Sequence, residues 1–247
     1  MIVSDDGSAF VLITQADHAL LAHGLLELWR LDGLPRHPRR RELLFAVREH
    51  DNGWQRADAA PSVMPATGSP TSFDRIPSTL RLAIWRRGVG RHLNDHPYAS
   101  RLIARHAREM NRDALGDAEW AGFDEELAEL EAGLDEAGTV TEAELEADYA
   151  WLRLADVLSL GGCGAFAGPN PATGEQNRYR FVLEAGRIGL DPFPLAGATT
   201  LEVPCRRLPK RRFAGTSDLT CELVSALWER RPVRIERLDA SGDPQPS

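Results

Sequence analysis

The sequence predicts a mainly helical α+β chain. A helical bundle is expected over residues 1–165, a small antiparallel β-sheet with one helix over 166–238, and a disordered tail over 239–247. Three observations predict this. Up to about residue 160, apolar residues recur at intervals of three and four, the period of helices that bury one face. From Arg178 onward the pattern changes to short alternating or β-branched runs separated by Gly and Pro, as strands require. Of the 247 residues, 43% are hydrophobic, enough for one large core or a core with a smaller appendage.

The elements follow in order. Residues 9–13 (AFVLI) read as a strand. Thr14, with Asp17 three residues later, reads as an N-cap and acidic first turn for a helix over 15–29. Its apolar stripe is His18, Leu21, Ala22, Leu25, Leu28 and Trp29, so His18 lies on the buried face. After Pro35 and Pro38, a second helix over 42–50 packs Leu43, Leu44, Ala46, Val47 and His50. Asp51 follows, and Asn52-Gly53 stops the helix. Residues 52–77, with four prolines, form a long loop of the kind that often shapes a binding site. Its Trp54, Asp58 and Phe73 are candidate contacts for a polar substrate.

Ser78 can cap a third helix over 78–94. His92 and His96 are four apart, a spacing that binds one ion on a single helix face, although Pro97 weakens it here. In a fourth helix over 98–111, His106 shares a stripe with Ala99, Ile103 and Met110 and points inward. Residues 116–138 read as an acidic amphipathic helix with a solvated face. Thr141-Glu142-Ala143-Glu144 spells a capping box that opens a helix running to about residue 160. Its stripe is Leu145, Tyr149, Leu152, Asp156 and Leu160. An Asp there is costly unless it is paired or coordinates an ion. Strands are expected at 179–184, 187–192, 199–203, 211–214 and 233–238, with a helix at 218–230. The basic run from Arg206 to Arg212 is the best anion-binding surface, with solvated charge as its simpler account.

Composition narrows the function. A net charge of −8 argues against nucleic acid as a partner. No apolar run is long enough to cross a bilayer, and the first residues lack the pattern of a signal peptide. Cys163, Cys205 and Cys221 are odd in number and lack Cys-x-x-Cys spacing. The expectation is a reduced, cytoplasmic protein without a disulfide framework.

His18, His50, Asp51, His106 and Asp156 therefore stand out as candidate metal ligands. Imidazole with carboxylate suits one or two divalent ions, Fe, Mn, Mg or Zn. The order His, then His-Asp, then a distant Asp resembles the HD-domain superfamily of helical metalloproteins, whose last motif often reads Ala-Asp-x-Leu-Ser. Here it stands as Ala155-Asp156-Val157-Leu158-Ser159, and the resemblance covers about residues 12–162. The runs ending at His18 and opening at His50 also resemble an uncharacterised bacterial domain-of-unknown-function family. The first resemblance implies an HD-like helical bundle and metal-assisted hydrolysis of a small anionic or polar substrate, a phosphate ester or nucleotide. Asp51 would be catalytic and able to bridge two ions, with Glu49 or Asp58 as a candidate general base. The alternatives to hydrolysis are a di-iron oxygenase on the same scaffold and a non-catalytic ligand- or partner-binding protein that keeps the fold, and the chain can form a homo-oligomer. Two departures stand out: Asn52-Gly53-Trp54 follows the pair, and no Lys or Arg partner is evident near it.

Overall fold

The structure, a computed structural model, describes residues 1–114, 116–134, 140–166, 168 and 170–239. The expected tail beyond Asp239 and the last residues of the expected acidic helix, 135–138, lie outside the described residues.

The helix starts follow from local chemistry. Thr14 is extended, and its hydroxyl accepts the Asp17 backbone N–H at 3.1 Å, so α1 (Gln15–Leu28) begins there. Thr141 does the same for α7 (Glu142–Gly162). Its Oγ1 accepts the Glu144 N–H, while Glu144 Oε2 accepts the Thr141 N–H at 2.9 Å, a complete capping box. Between them lie α2 (Arg40–Glu49), the short α3 (Gln55–Ala59), α4 (Ser78–Gly90), α5 (Pro97–Met110) and α6 (Ala118–Gly133). α8 (Thr216–Ser225) comes late in the chain.

The expected architecture, an HD-like bundle followed by a small antiparallel sheet, is overturned. The strands are β1 (Ile2–Asp5), β2 (Ala9–Ile13), β3 (Ala172–Gln176), β4 (Tyr179–Glu184), β5 (Arg187–Asp191), β6 (Thr199–Pro209) and β7 (Trp228–Arg237). They form one curled seven-stranded sheet in the order β1-β2-β6-β7-β5-β4-β3. It is mixed, because β5 and β7 run parallel while every other pair is antiparallel. The sheet crosses the boundary expected at residue 165: β2 pairs with β6, placing Phe10 opposite Leu208. Such a pairing, between stretches so far apart along the chain, leaves no local periodicity to read. No strand forms at 211–214, and the helix expected through 230 ends at Ser225, where the chain turns into β7.

Alternation along the strands divides the core in two. Val11 and Ile13 face the main core with α1, α2, α5 and α7. Leu12, between them, joins Met1, Leu208, Phe213, Leu219 and Leu223 in a smaller cluster under α8. In the main core Trp29 packs edge-on against Trp151 and Tyr179, with centroids at 5.6 and 4.8 Å. The apolar seam of α6 is buried as expected, but its acidic face is not wholly solvated. Phe123 and Leu127 are buried, and so is Glu131, which receives Arg105 Nη2 at 2.7 Å and Arg108 Nη1 at 3.1 Å from α5.

α7 reaches the sheet through two glycines. A Cβ at Gly161 would stand 2.5 Å from Leu183 Cδ1 and 2.6 Å from Leu183 Cβ, and one at Gly162 would stand 2.9 Å from Val233. The helix end can approach β4 and β7 this closely only without side chains. Gly161→Ala should therefore lower stability by about 1–3 kcal/mol, the usual cost of overpacking. Gly122→Ala, where nothing lies within 4 Å of the added carbon, should be neutral or stabilising by up to ~1 kcal/mol. Urea unfolding of both variants checks this. Equal effects would contradict the close approach of α7.

Candidate metal centre

Four helices contribute the candidate ligands: α1 carries His18, the end of α2 carries His50 and Asp51, α5 carries His106 and α7 carries Asp156. All five side chains are buried, His18 completely. Within the cluster His18 Nε2 lies 2.8 Å from Asp51 Oδ2, and His50 Nε2 lies 3.2 Å from Asp156 Oδ1. His50 Nε2 is also 3.6 Å from Asp51 Oδ2, and His106 Nε2 is 3.9 Å from Asp156 Oδ2. Two overlapping triads, His18-His50-Asp51 and His50-His106-Asp156, each hold their ligand atoms within 4.8 Å of one another. Two atoms that share an ion at about 2.1 Å can be no more than about 4.2 Å apart, so a few tenths of an ångström of side-chain movement closes either set.

The outer nitrogens of two rings are already committed. His50 Nδ1 donates to the Val47 carbonyl oxygen at 2.7 Å. His18 Nδ1 lies 3.0 Å from Ser159 Oγ, whose own hydrogen goes to the Asp156 carbonyl oxygen at 2.9 Å, so His18 Nδ1–H donates. Both Nε2 atoms are thereby directed at the carboxylates, the orientation that outer-shell partners impose on ligating histidines. His106 Nδ1 faces the Tyr149 hydroxyl at 3.5 Å.

The turn beneath Asp51 is fixed by glycine. A Cβ at Gly53 would collide with the Ile84 carbonyl oxygen and lie 3.0 Å from the Gly88 nitrogen, so the segment after the His-Asp pair is pressed onto α4. Arg87 Nη2 donates to the Gly53 carbonyl oxygen at 3.0 Å. This accounts for Asn52-Gly53-Trp54 at that point. Trp54 is swung into the interior, edge-on to Phe73 with centroids at 6.3 Å. Both rings line a cavity of about 220 Å³ that Asp51, His106 and Asp156 face.

Other candidates lie elsewhere. His96 stacks on Phe45 at 3.6 Å and points Nδ1 at Glu42, while His92 Nε2 lies 3.4 Å from Glu49 Oε2. These two histidines belong to a different face of α2. Glu49 is engaged there and by Arg48. Asp58 is buried, but it is tied to the Met1 amino group at 2.5 Å and the Gln15 N–H at 2.7 Å rather than to the cavity above the cluster. The basic run is spent within the chain: Arg207 pairs with Asp6, Lys210 with Asp5, and Arg211 with Asp218 and Glu222. The sequence reading missed Arg81, Gln15 and Asn111, which also line the cavity. No motif marks them. A second buried carboxylate on α7, Asp148, was missed too; it receives Arg39 Nε at 2.8 Å and the Tyr98 hydroxyl at 2.6 Å. The three cysteines are free, and among the described residues no helix is long and apolar enough to cross a membrane.

Electrostatics in the cluster are strongly coupled. Burial opposes charge on the His50 imidazole, but Asp51, Asp156 and the Val47 carbonyl outweigh it and raise the ring to about 9. Burial would push the Asp156 carboxyl up, yet the hydrogen bond and charge of His50, with the other rings, hold it at about 2. Asp51 is likewise lowered against burial by His50 and His18. At His106 burial wins over the pull of Asp156 and brings the ring down to about 4.

Together the fold and the cluster define an α+β protein whose helical layer encloses three imidazoles and two carboxylates beneath a small cavity. The chain belongs to the family described as Protein of unknown function (DUF3891), whose family model matches residues 1–210 and so spans the whole cluster. No curated protein and no solved structure matches the chain. The family match carries no HD-domain assignment, and that resemblance rests on the ligand order and the Ala155-Asp156-Val157-Leu158-Ser159 motif.

These shifts set the stability of the metal-free protein. The folded His106 pKa lies below its unfolded value of 6.5, so stability falls as pH drops from 6.5 toward 4. The folded His50 pKa lies above it, so that contribution is full below pH 6.5 and is lost as pH rises through about 9. Thermal unfolding in chelator should therefore give a maximum near pH 6.5. Stability that rises steadily from pH 6.5 to 9 would contradict the assignment.

Proposed function

We propose that this cluster binds a divalent metal ion and that the chain is a metal-dependent hydrolase of small phosphate esters. The observation that carries the proposal is the double commitment of His18 and His50. Their Nδ1 atoms are spent on Ser159 and the Val47 carbonyl, so both Nε2 atoms face Asp51 and Asp156. Nitrogen and carboxylate donors buried together fit Mn, Fe, Zn or, with water, Mg. His18, His50, Asp51 and Asp156 would hold the ion, with His106 as a fifth donor on the cavity side.

A bound divalent ion supplies a Lewis acid that polarises a phosphoryl oxygen and lowers the pKa of water. The side chains do the rest. Asp51 and Asp156 keep their negative charge in the interior because His50 and His18 hold their pKa values down. Trp54, Phe73 and Trp85 wall the cavity with apolar surface. Neither Glu49 nor Asp58 is placed to act as general base, since each is engaged elsewhere.

One ion is favoured over two. Both triads share His50, and its single free nitrogen, Nε2, serves one ion. A di-iron oxygenase on this scaffold would need further ligands or bridging carboxylates, including Asp51.

Metal analysis of the purified chain should give about one divalent ion per chain. Asp51→Ala and Asp156→Ala, checked for retained helicity, should abolish binding. Ser159→Ala should weaken it by about 10–100-fold by releasing His18. At pH 7 binding should release a proton, because His50 Nε2 must give one up, and affinity should climb with pH toward 9. Two irons per chain without phosphatase activity would favour the oxygenase. A metal-free chain whose variants behave like the parent would remove both readings.

A further inference from the structure

We propose that the cavity above the cluster is built around an oxyanion subsite, with Arg81 as its anchor and Trp54, Gln15 and Asn111 orienting a short hydroxylated body. The inference rests on the hydrolase reading and adds what part of the substrate is held and by which groups.

Arg81, on α4, lines this cavity. Its guanidinium stacks over the Trp120 ring, 5.2 Å from the centroid, and its Nε is buried without a hydrogen-bond partner. Among the described residues it forms no ion pair. Among the described residues, the only carboxylate lining the cavity outside the cluster is Asp74, which is paired with Arg75 Nε at 3.1 Å rather than with Arg81.

Three further side chains line the same cavity, each more than nine-tenths buried and each with an unpartnered polar atom: Trp54 Nε1, Gln15 Oε1 and Asn111 Oδ1. Folded proteins rarely leave buried polar atoms unpaired, and here four of them belong to residues that line one cavity. Their chemistry is selective. Guanidinium and indole N–H groups only donate, so they call for acceptors, and the Arg charge calls for an anion. Asn111 spends its Nδ2 on the Ala107 carbonyl oxygen at 2.6 Å, leaving Oδ1 to accept, as Gln15 Oε1 also can. Two acceptors beside an anion site suit substrate hydroxyls. At about 220 Å³ the cavity is smaller than the usual range for drug-sized ligands and fits a short body better than a nucleotide.

Phosphate and carboxylate both satisfy Arg81, so the test uses two compounds of similar body, glycerol 2-phosphate and glycerate. Calorimetric titration is run on the full chain, with and without Mn²⁺, for the parent, Arg81→Gln and Arg81→Lys. At least one compound should bind. Arg81→Gln should lose tenfold or more in affinity, and Arg81→Lys should keep part of it, with metal content equal to the parent in both. The better-bound compound identifies the anion. Asn111→Leu should weaken glycerol 2-phosphate more than inorganic phosphate, which has no hydroxylated body. If neither compound binds in either metal state, or Arg81→Gln binds like the parent, the subsite is wrong even when metal is present. If the chain takes no metal but anion binding still depends on Arg81, the subsite stands and the hydrolase reading fails.

Discussion

Three imidazoles and two carboxylates, buried together between α1, α2, α5 and α7, constrain everything around them. Ionised groups in the interior persist only when paired, and removing one partner of a buried pair costs about 3–5 kcal/mol because the other is left uncompensated. Here the pairs interlock. His18 serves Asp51, His50 lies between Asp51 and Asp156, and Asp156 also faces His106. No helix of the four can slide without breaking one of these contacts. The polar cluster therefore fixes helix register as well as forming a site.

The sheet keeps that register from drifting. α7 supplies Asp156 and Ser159 to the cluster, and one turn later it is seated on β4 and β7 through Gly161 and Gly162. Two turns before Asp156, Asp148 binds Arg39 and the Tyr98 hydroxyl, tying α7 to the segment before α2 and to the start of α5. The helix is thus held on both sides of its functional residue. Opposite, Gly53 and Gly88 bring α4 against the turn that carries Asp51. The same contact brings Trp54 and Arg81 to one cavity.

The candidate ligands were legible because each breaks a local pattern. His18, His106 and Asp156 are polar residues on apolar helical stripes, and His50-Asp51 closes one. The caps at Thr14 and Thr141 were legible for a similar reason, since capping chemistry involves residues three apart. The sheet was not. β3, Ala172-Thr173-Gly174-Glu175-Gln176, is a largely exposed edge strand with no apolar alternation. β7 opens with Trp228-Glu229-Arg230-Arg231, which reads as the end of a charged helix. The union of β2 with β6 depends on residues at opposite ends of the chain, so the HD-like bundle was inferred from a motif whose surroundings it does not determine. Asp58 misled for the same reason: its partner is the Met1 amino group, far away in sequence. Nothing in the sequence marks Arg81, because the cavity exists only once α5 and the turn at Trp54 are in place.

Whether His18, His50, Asp51 and Asp156 share one cation is decided by crystals of the full chain grown with Mn²⁺, with diffraction recorded at an energy where manganese scatters anomalously. One strong anomalous peak is expected, enclosed by those four side chains and about 2.0–2.3 Å from their donor atoms. A peak only at surface carboxylates, with the His18–Asp51 and His50–Asp156 contacts closed as a self-contained network, would contradict it.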